Sequence, residues 1–223
     1  MPKPVKRTRR YESPRRRAQA ETTRAQILES AGRLFERQGF ASTTMAAVAA
    51  DAGVALKTVY VAFETKSGLL RALWHLRLRG DQEELAVQDR DWHREVLDEA
   101  DAVRKLRLTA RNSRVVKERV GALFDVIRGA STTDTDVAAL WSRIEAEFHG
   151  VQRTIVESIA AGRGLRRGLD VDRGADLLWT LNHPDVWRLL VRERGWTPEE
   201  WEQWFGDTAI AQLLPPPSAR PRR

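Results

Sequence analysis

The feature that most restricts the fold is one apolar stripe in the second half of the chain. Apolar side chains recur there every three or four residues, at Val137, Leu140, Trp141, Ile144, Phe148, Val151, Ile155 and Ile159. This spacing is typical of an amphipathic α-helix, and six turns of it span about 40 Å at 1.5 Å per residue. Shorter stretches with the same period cover most of the chain, and no stretch alternates as a strand does. The sequence therefore predicts an all-α fold.

Capping residues and glycines divide this pattern into about nine helices. Pro184 lies inside the stretch 172–194 and predicts a kink near Asn182 and His183, because proline cannot continue the helical hydrogen bonds. Thr197-Pro198-Glu199-Glu200 is a strong helix start. The predicted helices are 23–38, 44–52, 56–63, 66–79, 92–112 with a break near 98–101, 115–128, 137–159, 172–194 and 198–214.

Positive charge is concentrated at the N-terminus. Residues 1–17 hold eight basic residues and one acidic residue, whereas residues 81–217 hold 19 basic and 25 acidic residues. This asymmetry favours contact of the N-terminal end with a polyanion, and nucleic acid is the first candidate. The alternative is a solubilising tail. Residues 1–20 and 215–223 contain little apolar surface and are predicted to be a disordered basic arm and a disordered tail.

Several functional classes lack support in this sequence. There is no cysteine, and the four histidines are too far apart for a local metal motif, so we expect no metal site. No nucleophile motif or phosphate-binding loop is present, so we expect no catalytic residues, no cofactor and no enzyme activity. No apolar run reaches about 18 residues, and no secretory signal follows the basic residues. We therefore expect a cytoplasmic protein with no membrane partner.

Residues 44–63 have the pattern of a helix-turn-helix. Two short helices are joined by Asp51-Ala52-Gly53-Val54, in which Gly53 permits a sharp turn and Val54 can pack between the helices. Alanines at 46, 47, 49 and 50 allow the helices to approach closely. The second helix has a length suited to the major groove of DNA. An ordinary pair of core helices is the alternative reading.

The surrounding residues resemble the DNA-binding head of the TetR family of bacterial regulators (TetR/AcrR-like). The matching positions are Gly39-Phe40, Thr43-Thr44, Val48-Ala49, Ala52-Gly53-Val54, Thr58-Val59-Tyr60, Phe63, Lys66 and Leu69-Leu70. The resemblance covers residues 21–80 and extends less specifically to residues 180–201. It implies a three-helix head, a connecting fourth helix, and a helical ligand-binding and dimerisation domain at 81–214.

This resemblance implies a ligand-responsive homodimer that regulates transcription, most simply a repressor that a small-molecule effector releases from a double-stranded DNA operator. The alternative is a DNA-binding protein without sequence specificity, driven by the basic arm. Two copies are also expected from DNA geometry, because paired heads must meet half-sites about 34–36 Å apart or further. Leu177, Leu178, Leu181, Trp201, Trp204, Phe205 and Leu213 are predicted to supply the dimer surface.

Candidate DNA contacts follow from the matched positions. Thr44 and Thr58 at helix starts, Tyr60 and Lys66 suit phosphate contacts, and Thr43 belongs to the same motif. Base contacts are predicted for Met45, Leu56, Lys57, Val61 and Ala62, with core packing as the alternative for Met45 and Leu56. Lys57 can donate to guanine, and Val61 or Ala62 can meet a thymine methyl group. In the arm, the candidates for the minor groove are Arg9, Arg10, Arg15, Arg16 and Arg17.

The candidate effector pocket is aromatic. Its predicted members are Trp141, Phe148, Trp179, His183 and Trp187, which lie on the long helix and the kinked helix. Each has a structural alternative, because buried aromatic residues more often belong to the core or an interface. For His183, the alternative is a histidine whose hydrogen bonds are satisfied within the fold.

Overall fold

The computed structural model describes residues 14–79, 91–162 and 164–216. These residues form α-helices and contain no strand, so the predicted all-α class is confirmed. The helices are α1 Pro14–Ser42, α2 Met45–Asp51, α3 Leu56–Phe63, α4 Lys66–Arg79, α5 Asp91–Asp98, α6 Ala102–Ala130, α7 Thr135–Ala161, α8 Val171–Leu181, α9 Pro184–Trp187 with a π-helical continuation Arg188–Glu193, and α10 Pro198–Leu213.

The chain divides into two compact units, Met1–Leu73 and Trp74–Arg223. The division falls inside α4, which is one continuous helix. The functional domain limits inferred from the sequence, 21–80 and 81–214, stay predictions. Arg9 and Arg10, residues 80–90 and most of the predicted tail lie outside the described residues.

The first unit is built on the apolar stripe of α1. Ile27, Ala31 and Phe35 are fully buried, as their helical spacing predicts. Gly39 has φ +78° and interrupts α1 where the sequence placed the end of this helix. The predicted start near residue 23 is wrong, because α1 begins at Pro14. Residues 15–21 are good helix formers, and proline is tolerated in the first helical turn, so this segment needs no buried face to be helical.

The second unit has its core between α6, α7, α8 and α10. The buried residues of the predicted stripe include Val137, Ile144, Ile155 and Ile159. The start of α10 is confirmed in detail: Thr197 accepts from the backbone N–H of Glu200, and the Glu200 side chain accepts from the backbone N–H of Thr197. This reciprocal capping fixes the first turn of α10.

Two predicted helix limits in this unit are wrong. The stretch 102–130 is one helix, because Asn112 and Ser113 remain helical while their side chains bond to neighbouring helices. The stretch 172–194 is broken rather than kinked. Asn182 ends α8, and His183 caps α9 by accepting a hydrogen bond from the backbone N–H of Asp185. The predicted break between 98 and 101 is confirmed.

The apolar surface predicted for dimerisation is mostly internal. Leu178, Trp201, Phe205 and Leu213 are fully buried within the single chain, where they pack with residues of α6 and α7. Sequence periodicity cannot distinguish a helix face buried in the core from one buried against a second copy. Leu177, Leu181 and Trp204 are only partly buried.

Candidate nucleic-acid interface

The turn between α2 and α3 has helix-turn-helix geometry. The two helices are bent by 114°, within the range of about 90–120° for this motif. Gly53 has φ +66°, and its N–H donates to Ala50 O at 3.2 Å. The N–H of Val54 donates to Ala49 O at 3.0 Å, and the Val54 side chain is half-buried. Gly53 therefore supplies the left-handed conformation that turns the chain into α3.

The two threonines before α2 have different roles. Thr44 is exposed and caps α2, because its Oγ1 accepts from the backbone N–H of Ala47 at 3.0 Å. Thr43 is fully buried, and its Oγ1 donates to Gly39 O at 2.8 Å. The Thr43 side chain therefore fixes the end of α1, and its contact with DNA stays a prediction. Thr44 remains a candidate phosphate contact at a helix start.

Base contact and core packing were the two alternatives for Met45 and Leu56, and the two residues differ in burial. Met45 is only 6% exposed and packs in the core, as the alternative reading had it, and a base contact by Met45 stays a prediction. Leu56 is 42% exposed at the start of α3. On the same helix Lys57 and Tyr60 are exposed, whereas Thr58 is half-buried and Val59 fully buried. Leu56, Lys57 and Tyr60 thus share the outward surface that the motif offers to a major groove.

Lys66 is half-buried and bonds to the end of α1. Its Nζ donates to Phe40 O at 2.8 Å and lies 4.2 Å from the centre of the Phe40 ring. A lysine near the last carbonyl groups of a helix stabilises that helix end. These contacts give Lys66 a structural role, and its contact with a DNA phosphate stays a prediction.

Two arginines that sequence reasoning missed hold the motif on α1. The guanidinium of Arg24 lies 4.3 Å from the centre of the Phe63 ring, and its Nη1 donates to Ala62 O at 2.9 Å, at the end of α3. Arg33 donates to the carboxylate of Asp51 at 2.8 Å and lowers the pKa of Asp51. Only contacts between distant positions identify these roles, so the sequence carries no local signal for them.

The junction between α3 and α4 is tight. Glu64 has φ +61°, and the N–H of Thr65 donates to Phe63 O at 2.6 Å across it. Thr65 Oγ1 then accepts from the N–H of Gly68 at 2.9 Å. A Cβ atom on Gly68 would lie 2.4 Å from Phe63 O, which is a backbone atom. This position therefore requires glycine.

We expect Gly68→Ala to destabilise the head by about 1–3 kcal/mol, because the added methyl group forces backbone away from its position. Urea unfolding monitored by circular dichroism measures the loss. Gly129→Ala is the matched control, since a Cβ at that helical position meets no atom within 4 Å. Equal stability of the two variants would contradict this account of the junction.

The basic arm differs in part from its predicted form. Residues from Pro14 onward are helical, so Arg15, Arg16 and Arg17 lie in the first turns of α1 rather than in a disordered segment. Arg16 and Arg17 are exposed, and Arg17 forms an ion pair with Glu21 at 3.2 Å. Their role in DNA binding stays a prediction.

Four of the five predicted effector residues come together in the second unit. The His183 ring lies 4.9 Å from Trp179 and 6.5 Å from Phe148, and it lies 6.2 Å from Phe124. Trp141 joins this cluster through Phe124, at 4.7 Å. Trp187 does not join it, because it is buried in the core against Trp201, with ring centres 5.0 Å apart.

His183 uses both ring nitrogens within the fold. Its Nδ1 accepts from the N–H of Asp185 at 3.2 Å, and its Nε2 lies 3.4 Å from Glu145 Oε2. Since Nδ1 accepts, the neutral ring carries its proton on Nε2, which faces Glu145. Both ring nitrogens of His183 thus have partners within the fold, whereas its contact with an effector stays a prediction.

A buried polar cluster lies beside these aromatic residues. Lys117 donates from Nζ to Asn182 Oδ1, and Asn182 Nδ2 donates to Ser113 Oγ at 2.9 Å and Gln152 Oε1 at 3.2 Å. The ammonium group also lies 4.7 Å from the centre of the Trp201 ring and 5.7 Å from that of Phe148. Burial lowers the pKa of Lys117 to about 7.

Within residues 14–79, 91–162 and 164–216, no group of three His, Asp or Glu side chains could hold a metal ion. No single helix in these ranges is long and apolar enough to cross a membrane. Taken together, α2 and α3 have the length and apolar composition of a membrane span, but they are bent by 114°.

A three-helix head with an exposed second motif helix, followed by a separate helical unit, defines a helix-turn-helix regulator. The profile of the family "Bacterial regulatory proteins, tetR family" matches residues 27–73. The regulator TtgR of Pseudomonas putida is 28% identical over 213 residues, which cover 92% of this chain and 98% of TtgR. The chain belongs to the TetR family of transcriptional regulators.

Solved structures show the same fold. NalD of Pseudomonas aeruginosa, the secondary repressor of the MexAB-OprM multidrug efflux pump, has a TM-score of 0.66 at 18% identity, over 88% of this chain and 98% of NalD. FadR of Bacillus subtilis, solved in complex with stearoyl-CoA, has a TM-score of 0.67 at 17% identity, over 84% of this chain and 97% of FadR. At such identities the likeness concerns the fold.

Proposed function

We propose that this protein is a dimeric, cytoplasmic repressor without catalytic activity, released from its DNA operator by a small molecule. The observation that carries the proposal is the exposed face of α3. Arg24 holds α3 to α1, Arg33 holds α2 to α1, and Lys66 bonds to the end of α1. A rigid head of this kind is what base recognition in a major groove requires. Two proteins with this fold support regulation by an effector: NalD, a repressor of an efflux pump, and FadR, solved in complex with stearoyl-CoA.

Selection of bound sequences from random double-stranded DNA tests this function. We expect an enriched sequence with two related half-sites, bound at least about 10³-fold more tightly than random DNA. Analytical ultracentrifugation of the complex should give two chains per operator or a multiple of two. Failure to enrich any sequence would favour the alternative, a DNA-binding protein driven by the basic arm alone.

We expect Lys57→Ala to weaken operator binding by about 1–3 kcal/mol and to relax the preference at one or two base pairs, because the lysine donates to base edges. Tyr60→Phe is the comparison, since loss of a phosphate contact weakens all sequences evenly. Fluorescence anisotropy on operator and random DNA measures both. If Lys57→Ala lost the same affinity for operator and for random DNA, the proposed base contact of Lys57 would be contradicted.

The proposed effector site includes the aromatic cluster of Phe124, Trp141, Phe148, Trp179 and His183. The Trp74 ring lies 6.2 Å from Phe124 and belongs to α4, the helix that begins at Lys66. An effector that displaces these rings can therefore bias α4 and, through it, the spacing of two heads. The effector then needs only to prefer the dimer whose heads do not fit the operator.

We expect a true effector to change tryptophan emission and Trp74→Phe to remove part of that change, because Trp74 lies beside the cluster. Linkage also requires operator DNA to weaken effector binding by the same factor by which the effector weakens DNA binding. Titration of the effector with and without operator measures this factor. An effector that releases DNA but binds equally well in both titrations would contradict the two-state account.

A further inference from the structure

The aromatic cluster contains a carboxylate that no charged basic side chain neutralises. Glu145 lies on α7 four residues after Trp141 and three before Phe148, so the three side chains share one face of the helix. Its Oε2 lies 3.4 Å from Nε2 of His183, whose ring is neutral because Nδ1 accepts from the N–H of Asp185. Within the described residues, this histidine is the only basic side chain paired with Glu145. The carboxylate therefore lacks a cationic partner in this part of the chain.

The second oxygen of Glu145 is buried without a hydrogen-bond partner. Its Oε1 is shielded from solvent, and no donor among the described residues bonds to it. Buried polar atoms in folded proteins are nearly always hydrogen-bonded, and a charged group without a partner costs more than a neutral one. A ligand that donates a hydrogen bond to Oε1 would remove this cost. Nε1 of Trp179 is likewise buried without a partner, and it suits an oxygen atom of the same ligand.

The aromatic cluster is accessible from solvent. The side chains of Trp141, Phe148 and Trp179 are half-buried, and those of Glu145 and His183 are 24% and 15% exposed. A small molecule can therefore reach the rings without unfolding the core of the second unit. The faces of aromatic rings are negative and attract cations, so the rings and the carboxylate favour ligands of the same charge.

The buried ammonium group of Lys117 is not available to this carboxylate. Its Nζ donates to Oδ1 of Asn182 and lies 4.7 Å from the centre of the Trp201 ring. The residue is only 5% exposed. The charge that a ligand meets first in the aromatic cluster is therefore the negative charge of Glu145.

We propose that the effector is an apolar molecule that carries a protonated amine, and that its ammonium group donates to Oε1 of Glu145 against the rings of Trp141, Phe148 and Trp179. This inference rests on the proposed function, since it names the chemical class of the effector. The charge-assisted hydrogen bond and the ring faces select the ammonium group. The apolar part of the molecule packs on the remaining ring surface, as is usual in small-molecule sites.

Isothermal titration calorimetry of the full chain, without DNA, tests the inference with three probes that share one ring system. At neutral pH, β-naphthylmethylammonium is positive, β-naphthylmethanol is neutral and β-naphthoate is negative. We expect the ammonium probe to bind at least about tenfold more tightly than the alcohol, because hydrogen bonds to charged groups are the stronger ones. The naphthoate probe should bind most weakly, since it meets a carboxylate of the same sign.

Glu145→Gln keeps the shape of the side chain and removes its charge. In this variant the ammonium and alcohol probes should bind within about twofold of each other. Glu147→Gln is the matched control, because Glu147 is exposed on the same helix, and it should keep the preference for the ammonium probe. Trp141→Leu should weaken binding of the ammonium probe more than that of the alcohol, since a ring face is lost.

Each preference is a ratio of two affinities measured on one protein, so a partial folding defect in a variant affects both affinities and cancels. Tightest binding of the naphthoate probe, no measurable binding of the ammonium probe, or a preference for it that survives Glu145→Gln would overturn the inference. The selection of an operator uses none of these probes. Its failure would reject the proposed function and would leave the measured charge preference of the site unchanged.

Discussion

Lys117→Met is expected to remove a large pH dependence from the stability of the second unit. Lys117 has a pKa of about 7 in the folded chain, against 10.5 for the ordinary side chain. Between these values the unfolded chain binds the extra proton, so wild-type stability rises with pH. The destabilisation is fully present below pH 7 and disappears as pH approaches 10.5. Over this window the unfolding equilibrium constant of the wild type falls by up to about tenfold per pH unit relative to the variant.

Urea unfolding at several pH values measures this difference. Lys105→Met is the comparison, because Lys105 is also buried, but the carboxylates of Glu99 and Asp98 partly oppose the lowering of its pKa. Lys105→Met should therefore alter the pH dependence less. The absolute gain in stability for Lys117→Met is reduced because Asn182 loses a donor, at a cost of about 1–3 kcal/mol. Parallel profiles for wild type and Lys117→Met would show that the ammonium is not desolvated.

Removal of residues 1–17 is expected to weaken DNA binding strongly and to flatten its salt dependence. The segment holds eight basic residues and one acidic residue. Each phosphate contact that is lost reduces the slope of log affinity against log salt by about 0.9. The fold should survive, because Arg16 and Arg17 are exposed and the buried stripe of α1 begins at Ile27.

Removal of residues 218–223 is the control for this experiment, since it also deletes arginines, at the opposite end of the chain. Anisotropy titrations from low to high salt compare the three proteins, and circular dichroism confirms their helix content. A slope that stays at the wild-type value after removal of residues 1–17 would show that the arm does not touch DNA.

The sequence predicts the helices of this fold well because their signals are local. Thr44, Gly53 and Thr197 each act on residues within one helical turn, and the structure has them as predicted caps or turns. The start of α1 is not predicted from apolar spacing, because residues 16–22 in its first turns are exposed and bury no apolar side chain. The joining of two predicted helices into α6 was missed because the partners of Asn112 and Ser113 lie on other helices.

The candidate DNA surface was predictable as a motif but not residue by residue. A matched pattern gives the position of Thr43, Met45 and Lys66, but it cannot say which way a side chain turns. That direction depends on Phe40, whose carbonyl group and ring bind the lysine from another helix. Leu56 and Met45 have similar side chains, and only their burial separates a surface residue from a core residue.

The hydrogen bond from Lys66 to Phe40 O has a consequence for the genetics of the proposed regulator. In the proposed dimer, a variant that lacks a DNA contact should still fold and pair with wild-type chains, so it should inactivate those dimers and be dominant in a cell that carries both alleles. A variant that lacks the Lys66 bonds to Phe40 is expected to lose folded protein instead, and a wild-type allele should compensate for it. Loss-of-function alleles at Lys66 are therefore expected to be recessive, and those at Lys57 dominant. Complementation tests in merodiploid cells would thus sort contact residues from scaffold residues without any binding measurement.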